Sequence, residues 1–186
     1  MPRNTSETTP GPSSSPELRT TALDTYTPAD LRGISGGRPD PFEVSHLGLT
    51  WRPKEHHFGV VQGERLVAHA GWVDLPVRVG GAQVRVAGLG GVIVAPELRG
   101  HGLARRVVSA TAAHAAEQGY GLALLFCLPD RTPVYAAMGW TRLAAEVEAE
   151  QPGGTRTVMP LPAMWLPLGG DASWPHGRVS LLSLPM

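Results

Sequence analysis

Cysteine, charge and long apolar runs are all scarce in this chain. A single cysteine, Cys127, stands among 186 residues, which excludes an internal disulfide framework and a zinc cage built from cysteines. Charged residues make up only 17%, and 16 basic groups cancel 16 acidic ones. That balance argues against a polybasic nucleic-acid binder and against an acidic tail, so no nucleic-acid partner is expected. The longest strictly apolar stretch, residues 122–128, suits a buried strand. It falls well short of the roughly 18 apolar residues that cross a bilayer, so no membrane partner is expected either. The first residues carry no apolar h-region, which reads as no secretory signal and a cytoplasmic location. Repeats at solenoid spacing are missing too.

What is present is one domain's worth of apolar sequence, 42% of the residues. Glycine and proline are frequent, 23 and 18 of 186, yet together they stay below the roughly 25–30% that marks low-complexity chains. Residues 1–16 are an exception: twelve of them are Ser, Thr, Pro or Gly. Such a segment has no apolar surface to repay ordering, so it is expected to be a disordered tail ahead of a domain spanning 17–186. The run "LRTTALDTY" predicts a first strand, and "TPADLRGI" a short helix with Thr27 as N-cap and Pro28 at its first position. Residues 35–55 give no clear element.

Three β-rich runs follow, joined by two-residue turns at Gly63-Glu64 and Gly80-Gly81 and ending at Val94, which predicts an antiparallel meander. The period then changes. Residues 103–118 place Leu103, Val107 and Ala110 on one helical spacing and Val108, Ala112 and Ala115 on another, with Gly119 as the stop. "GLALLFCLP" predicts a buried strand. "TPVYAAMGW" predicts a short helix capped by Thr132, started by Pro133 and ended by Gly139, with Trp140 opening another strand. Residues 155–168 are expected to hold one strand more. The order predicts a single-domain α/β fold with a mixed, mostly antiparallel sheet and flanking helices.

Two glycine clusters carry the chemistry. Gly88, Gly90 and Gly91 lie inside a strand, where glycine signals either a plain bulge or a backbone that something approaches closely. Residues 99–104, "RGHGLA", lie between a strand and an Ala-rich helix, so free amides at a helix N-terminus form an anion site. Arg105 and Arg106 follow. Cations in a first helical turn oppose the macrodipole by about 0.3–1 kcal/mol each unless an anion sits there; a solvated basic helix end is the plain alternative. The phosphate-loop lysine is missing, and Arg105 replaces the third glycine of a dinucleotide fingerprint, so both of those nucleotide patterns fail.

The segment "VIVAPELRGHGLARRVV" resembles the acetyl-coenzyme-A motif of the GCN5-related N-acetyltransferases (GNAT), Gln/Arg-x-x-Gly-x-Gly/Ala, with Arg99, Gly102 and Ala104 in its fixed positions. "PVYAAMGWTRL" is similar to the family's later aromatic-bearing helix, and the likeness covers residues 56–143. Fainter similarity points to the aminoglycoside 2′-N-acetyltransferase branch. The resemblance implies the acyl-CoA N-acyltransferase fold with a bulged central strand, and acetyl-CoA as co-substrate without a metal. It implies direct transfer of the acetyl group to a primary amine of a small molecule in a ternary complex. It also implies roles. Ile93 and Val94 would bond the pantetheine arm through their backbones, with the Val94 N–H as oxyanion donor. Arg99, Gly100, His101, Gly102, Leu103 and Ala104 would wrap the pyrophosphate, with Arg105 or Arg106 near a phosphate. Tyr135 would face the sulfur as the acid, since a phenol near pKa 10 stays protonated beside a thiol near 8.5; a core aromatic is its plain alternative.

Several family members carry a glutamate on the bulged strand as base; here residues 87–91 read "AGLGG", with no carboxylate. The candidates are the terminal carboxylate at Met186, Asp74, His69, or no protein base. His56 and His57 should point to opposite strand faces and share no metal. His101 is expected at solvent, His114 as an exposed helix position, and Cys127 as an inert core residue. Of the tryptophans, Trp165 and Trp174 are the better candidates for a pocket wall. The main competing function is a catalytically inactive acyl-CoA sensor or interaction domain; transfer of a longer acyl chain is a weaker one. The oligomeric state is open, a homodimer among the options.

Overall fold

The computed structural model describes residues 17–186, so the expected tail at 1–16 lies outside the described residues. The chain opens with β1 (Leu18–Leu23) and α1 (Pro28–Ser35). Helix α1 starts where the sequence predicts: Thr27 Oγ1 accepts from the Asp30 amide (3.3 Å), and the Asp30 carboxylate accepts from the Thr27 amide (2.8 Å). The antiparallel meander follows as β2 (His56–Gln62), β3 (Arg65–Val79) and β4 (Ala82–Val94). Gly80 and Gly81 both have positive φ, 56° and 95°. Positive φ at both central residues gives a two-residue turn whose twist matches the strands it joins.

A right-angle change of chemistry comes after β4. Helix α2 (Leu103–Glu117) crosses over and returns the chain as β5 (Leu122–Phe126), parallel to β4. The helix buries Leu103, Val107, Val108, Thr111, Ala112 and Ala115 against the sheet. Three of these are small, which lets the helix axis lie close to the strands. After β5, a 3-10 turn at Pro129–Arg131 runs directly into α3 (Thr132–Ala136). Thr132 is therefore inside the helix rather than its cap, and its hydroxyl donates to Pro129 O (2.8 Å).

The C-terminal third departs from expectation. Trp140 is a buried core residue ahead of a two-residue β6 (Thr141–Arg142). The region expected to give one strand gives β8 (Thr155–Val158) and β9 (Ala163–Pro167), flanked by the unforeseen β7 (Val147–Gln151) and β10 (Val179–Leu181). One mixed sheet results, in the order β6-β9-β5-β4-β3-β10-β7-β8, with β2 on the other half of β3 and β1 outside it. Two cores occupy its faces. One, under α1 and α2, includes Trp72, Leu89 and Leu125; the other, toward β7 and β10, includes Leu75, Leu124 and Leu181. No helix among the described residues is long and apolar enough to cross a membrane.

Strand β4 is bulged. Gly71 faces Gly90 and His69 faces Ile93, so the single Ala70 on β3 opposes both Gly91 and Val92. Gly91 adopts φ 62°, which glycine tolerates and other residues resist. His69, only 1% exposed, secures this point. Its Nδ1 lies 2.9 Å from Gly91 O and its Nε2 3.0 Å from His57 Nδ1. Because a carbonyl only accepts, His69 Nδ1–H donates to it; Nε2 then accepts from His57 Nδ1–H. The Tyr26 ring stacks on His69 at 3.5 Å. Burial pushes the His69 pKa from 6.5 down to about 4. The unfolded chain thus binds a proton near pH 6.5 that the folded chain refuses until about pH 4. Stability is full above pH 6.5 and falls as pH drops through that window, by up to about 3 kcal/mol. Denaturant melts at pH 7 and pH 4.5 should show this loss, and His69→Gln, which keeps a donor without titrating, should shrink it.

Candidate active site

Beyond Ala87 and Gly88, which pair with Ala123 and Leu124, β4 and β5 cease to pair and diverge. The bulge at Gly91 turns β4 away just where the gap begins. A cavity of about 710 Å³ fills it. Ala95 N–H donates to Val67 O on β3 (2.8 Å). Strand alternation therefore turns the Val94 N–H and C=O toward the gap and those of Ile93 back toward β3. Ile93 and Val94 both line the cavity, and of the two it is Val94 whose main-chain polar groups are turned to the gap.

At one end of the cavity lie Arg99, Gly100, Gly102, Leu103, Ala104 and Arg105. Gly100 and Gly102 adopt φ 82° and 76°, and a Cβ at either would meet no protein atom within 4 Å. The first intrahelical bond of α2 runs from Arg106 N–H to Gly102 O (3.1 Å). The amides of residues 103–105 are thus free to accept an anion. His101 stands outside this wall, exposed, with Nδ1 3.1 Å from Arg99 O.

The arginines divide. Arg105 reaches across the cavity end and donates to Ala137 O at the close of α3 (2.7 Å). Arg106 turns the other way, to Thr20 Oγ1 (2.5 Å) and Leu18 O (2.7 Å) on β1. Its place in the first turn is explained by that strap, so of the two arginines offered for a phosphate it is Arg105 that lines the cavity. Arg131, after β5, joins Arg99 and Arg105 on the wall.

Tyr135 of α3 also lines the cavity, in edge contact with the buried Trp140 at 6.2 Å. Burial raises its phenol pKa well above 10, so it holds its proton firmly. Cys127 lines the same wall, and burial pushes its thiol up to about 11, which keeps it unreactive.

Lys54 and Met186 line the cavity at Gly88 and Gly90, away from the turn before α2, and Phe42, Glu43, Val44 and Trp51 line it as well. Met186 packs its side chain where a Gly88 Cβ would stand (2.9 Å), and its main-chain oxygen lies near Gly90. The other two base candidates are elsewhere. Asp74 accepts from Tyr120 Oη (2.8 Å) and pairs with Arg85, and His69 is sealed beneath the bulge; neither lines the cavity. Trp165 and Trp174 also stand apart, packed on each other in the second core at 6.1 Å, so Trp51 is the tryptophan at the wall. His114 is not exposed: it is half-buried and accepts from Trp72 Nε1 (3.0 Å). Among the described residues no group of three or more His, Cys, Asp or Glu could hold a metal ion.

Comparison with known proteins settles the family. The sequence profile of the Acetyltransferase (GNAT) domain matches residues 46–143. The chain belongs to the GNAT acetyltransferase family. A search by sequence among curated proteins finds no match. Among solved structures, the GNAT family N-acetyltransferase YhbS of Escherichia coli, in complex with CoA, is similar with a TM-score of 0.56 and 20% identity, covering 94% of this chain and 97% of that one. A GNAT family acetyltransferase of Brucella melitensis in complex with acetyl-CoA gives 0.53 and 16%, over 88% and 94% of the two chains. A GCN5-related N-acetyltransferase of Kribbella flavida gives 0.50 and 26%, over 70% of this chain. Of the Kribbella protein's own length only 35% is spanned. These likenesses confirm the fold expected from the sequence, and they lend no support to the aminoglycoside branch.

In this GNAT domain the sequence pointed to every residue of the turn wall but missed Arg131, Lys54 and the 41–44 loop. The loop is held by Asp40, whose carboxylate accepts from Val44 N–H (3.2 Å), Ser45 N–H (3.0 Å) and Ser45 Oγ (2.6 Å). An Asp four and five residues ahead of a Val-Ser pair is the signal that could have found it. The division of the arginines has a direct check. Arg106→Met should lower stability by about 1 kcal/mol, the net worth of a hydrogen bond, and leave CoA affinity unchanged by calorimetry. A loss of CoA affinity would return Arg106 to the phosphate site.

Proposed function

We propose that this protein is an acetyl-CoA-dependent N-acetyltransferase that moves the acetyl group to a primary amine of a small molecule in a ternary complex. The observation that carries the reading is the continuous cavity between β4 and β5. Its lining joins the free amides of the α2 turn and three arginines to Lys54 and Met186 at Gly88 and Gly90, a separate set suited to a second substrate. Phosphates belong at the amide end, where the helix dipole, the open glycines and Arg99, Arg105 and Arg131 all favour negative charge. The pantetheine arm would then lie in the gap along Val92 and Val94, and the thioester would come to rest near the bulge. The Val94 N–H, turned into the gap, supplies a donor for the oxyanion of the tetrahedral intermediate. Holding amine and thioester in line within one cavity supplies most of the rate.

Tyr135 acts on the departing sulfur. With its pKa raised by burial, it does not release a proton to a thiolate on its own account. It gives one up as it gains one from the amine nitrogen, so it serves as a relay between the nitrogen and the sulfur. At the acceptor end, the Met186 main-chain oxygen beside Gly90 accepts a hydrogen bond from the incoming amine and orients it.

Acetyl-CoA should raise the melting temperature progressively with concentration, by the equivalent of about 2.7 kcal/mol at a hundredfold excess over Kd, whereas ATP and NAD should not. Gly102→Val places a branched side chain over the free amides, and it strains a left-handed residue by about 1–2 kcal/mol. Gly119→Val carries the same strain at φ 82° at the far end of α2, outside the cavity. Both variants should lose stability, and only Gly102→Val should lose CoA binding. Equal affinity in the two would place the phosphates elsewhere.

Tyr135→Phe should retain acetyl-CoA binding and lose roughly 10²–10⁴-fold in kcat and kcat/KM together. Amines are screened first, with release of free thiol as the readout. Acetyl-CoA binding with no amine turned over across the screen would favour an inactive acyl-CoA sensor.

A further inference from the structure

The reading above gives the amine a hydrogen-bond acceptor at Met186 but names no group that takes its proton. An aliphatic amine reaches the site as an ammonium, and its nitrogen must shed a proton before it can attack. Strand β4 offers no carboxylate there, only Gly88, Gly90 and Gly91. Their spacing has a purpose that the sequence does not disclose. Gly71 and Gly90 face each other on β3 and β4. A Cβ on Gly71 would stand 2.8 Å from Lys54 Cβ, and a Cβ on Gly90 would stand 2.9 Å from Lys54 Cε and 3.4 Å from its Nζ. The two glycines form a trough, and the stem of Lys54 lies in it. The amine at its tip takes the space that a side chain at position 90 would occupy.

Lys54 lines the cavity together with Gly90 and Met186, and its Nζ and the Met186 oxygen both lie against Gly90. It donates to Arg52 O (3.3 Å), and it forms no ion pair with any carboxylate among the described residues. Of the charged groups around it, the Arg52 guanidinium favours its neutral form, whereas Glu43 and the Met186 terminal carboxylate, which line the same cavity, favour the charged one. The Arg52 guanidinium is bonded to Glu55 and to Asp74 O. His57 and His69 lie behind it, both with pKa values lowered by burial. Glu43, on a neighbouring loop at φ 58°, lines the same cavity.

We propose that Lys54 is the catalytic base of the transfer: its neutral Nζ accepts the proton of the substrate ammonium from the place where strand β4 carries only glycine. Burial and the Arg52 charge lower the Lys54 pKa to about 8, so a usable fraction is neutral near physiological pH. The step balances. The ammonium gives one proton to Lys54 Nζ, and the freed amine forms the C–N bond to the thioester carbon. As the intermediate collapses, the C–S bond breaks, the nitrogen loses its second proton and the sulfur gains one through Tyr135. Lys54 then returns its proton to water.

The inference rests on the acetyltransferase reading, and its test separates the two. Phenethylamine and O-benzylhydroxylamine are near-isosteric, with CH₂ replaced by O, but only the first is an ammonium at pH 7. The full-length parent, Lys54→Met and Lys54→Arg are compared with both acceptors, with acetyl-CoA affinity measured on each. Parent turnover of phenethylamine should rise with pH through about 8. Lys54→Met should lose roughly 10²–10⁴-fold with phenethylamine and stay within about threefold of the parent with O-benzylhydroxylamine, which needs no base. Lys54→Arg keeps the charge but cannot accept a proton, so it should fail in the same way. Equal losses with both acceptors, rescue by arginine, or no loss at all would overturn the role of Lys54. Should the parent turn over neither these probes nor any amine in the screen, the acetyltransferase reading itself falls, and the base with it.

Discussion

The parting of two parallel strands is the constraint on which the rest of the molecule depends. Two strands that run side by side are held by an even ladder of hydrogen bonds, and breaking it midway exposes polar backbone that something must satisfy. Here the break follows Gly88 and Leu124, and the bulge two residues later turns β4 aside. The histidine bond to Gly91 O pins the bulge from below, and Tyr26 covers that histidine. Each of these groups lies in the core rather than at the cavity, yet the cavity exists only because they hold the strand off its neighbour. The turn around residues 99–105 and Tyr135 on α3 then both line the opened gap.

Charge is placed with the same economy. A neutral chain can still present a strongly positive pocket if its cations are sorted by direction, and the two adjacent arginines of α2 show how. Successive residues on a helix point about 100° apart, so Arg105 meets α3 at the cavity end while Arg106 fastens β1 on the outside. The macrodipole argument correctly marked this first turn as unusual, but it could not tell a phosphate from a strand as the partner. Direction around the helix decides that, and it becomes visible only when the neighbouring elements are in place.

Much of the fold was legible because its signals are local. The meander ends, the cap of α1, the span of α2 and the buried β5 follow from turn glycines, a Thr-x-x-Asp box and a change of period. The cofactor end of the site was legible for the same reason, since it is one contiguous turn. The acceptor end was not. Phe42, Glu43, Trp51 and Lys54 sit in a Gly- and Pro-rich stretch without periodicity, and they reach the cavity through tertiary contacts alone. The C-terminal strands β7 and β10 were hidden because they are short and pair with β3 and with each other across long separations. Three residues of strand carry too little pattern to stand out from a loop. Trp165 and Trp174 misled for a related reason: an aromatic in an unassigned segment fits a wall or a core equally well until its neighbours are known.

The trough formed by Gly71 and Gly90 ties three positions from separate segments into one steric unit. Gly71 is required by the His56 carbonyl and the Lys54 Cβ, each 2.8 Å from where its own Cβ would stand, and Gly90 by the lysine's Cε, so the stem lies extended over the two glycines. Neither glycine has a positive φ, so the backbone itself would accept alanine at both sites. Positions 54 and 90 are therefore free to change only together: a chain with a short side chain at 54 could carry a methyl group at 90, whereas one that keeps the lysine must keep that hollow, and Gly71 stays fixed in either case by the His56 carbonyl. Such coupled exchange would be a fingerprint of this packing in related sequences, readable without any knowledge of the reaction.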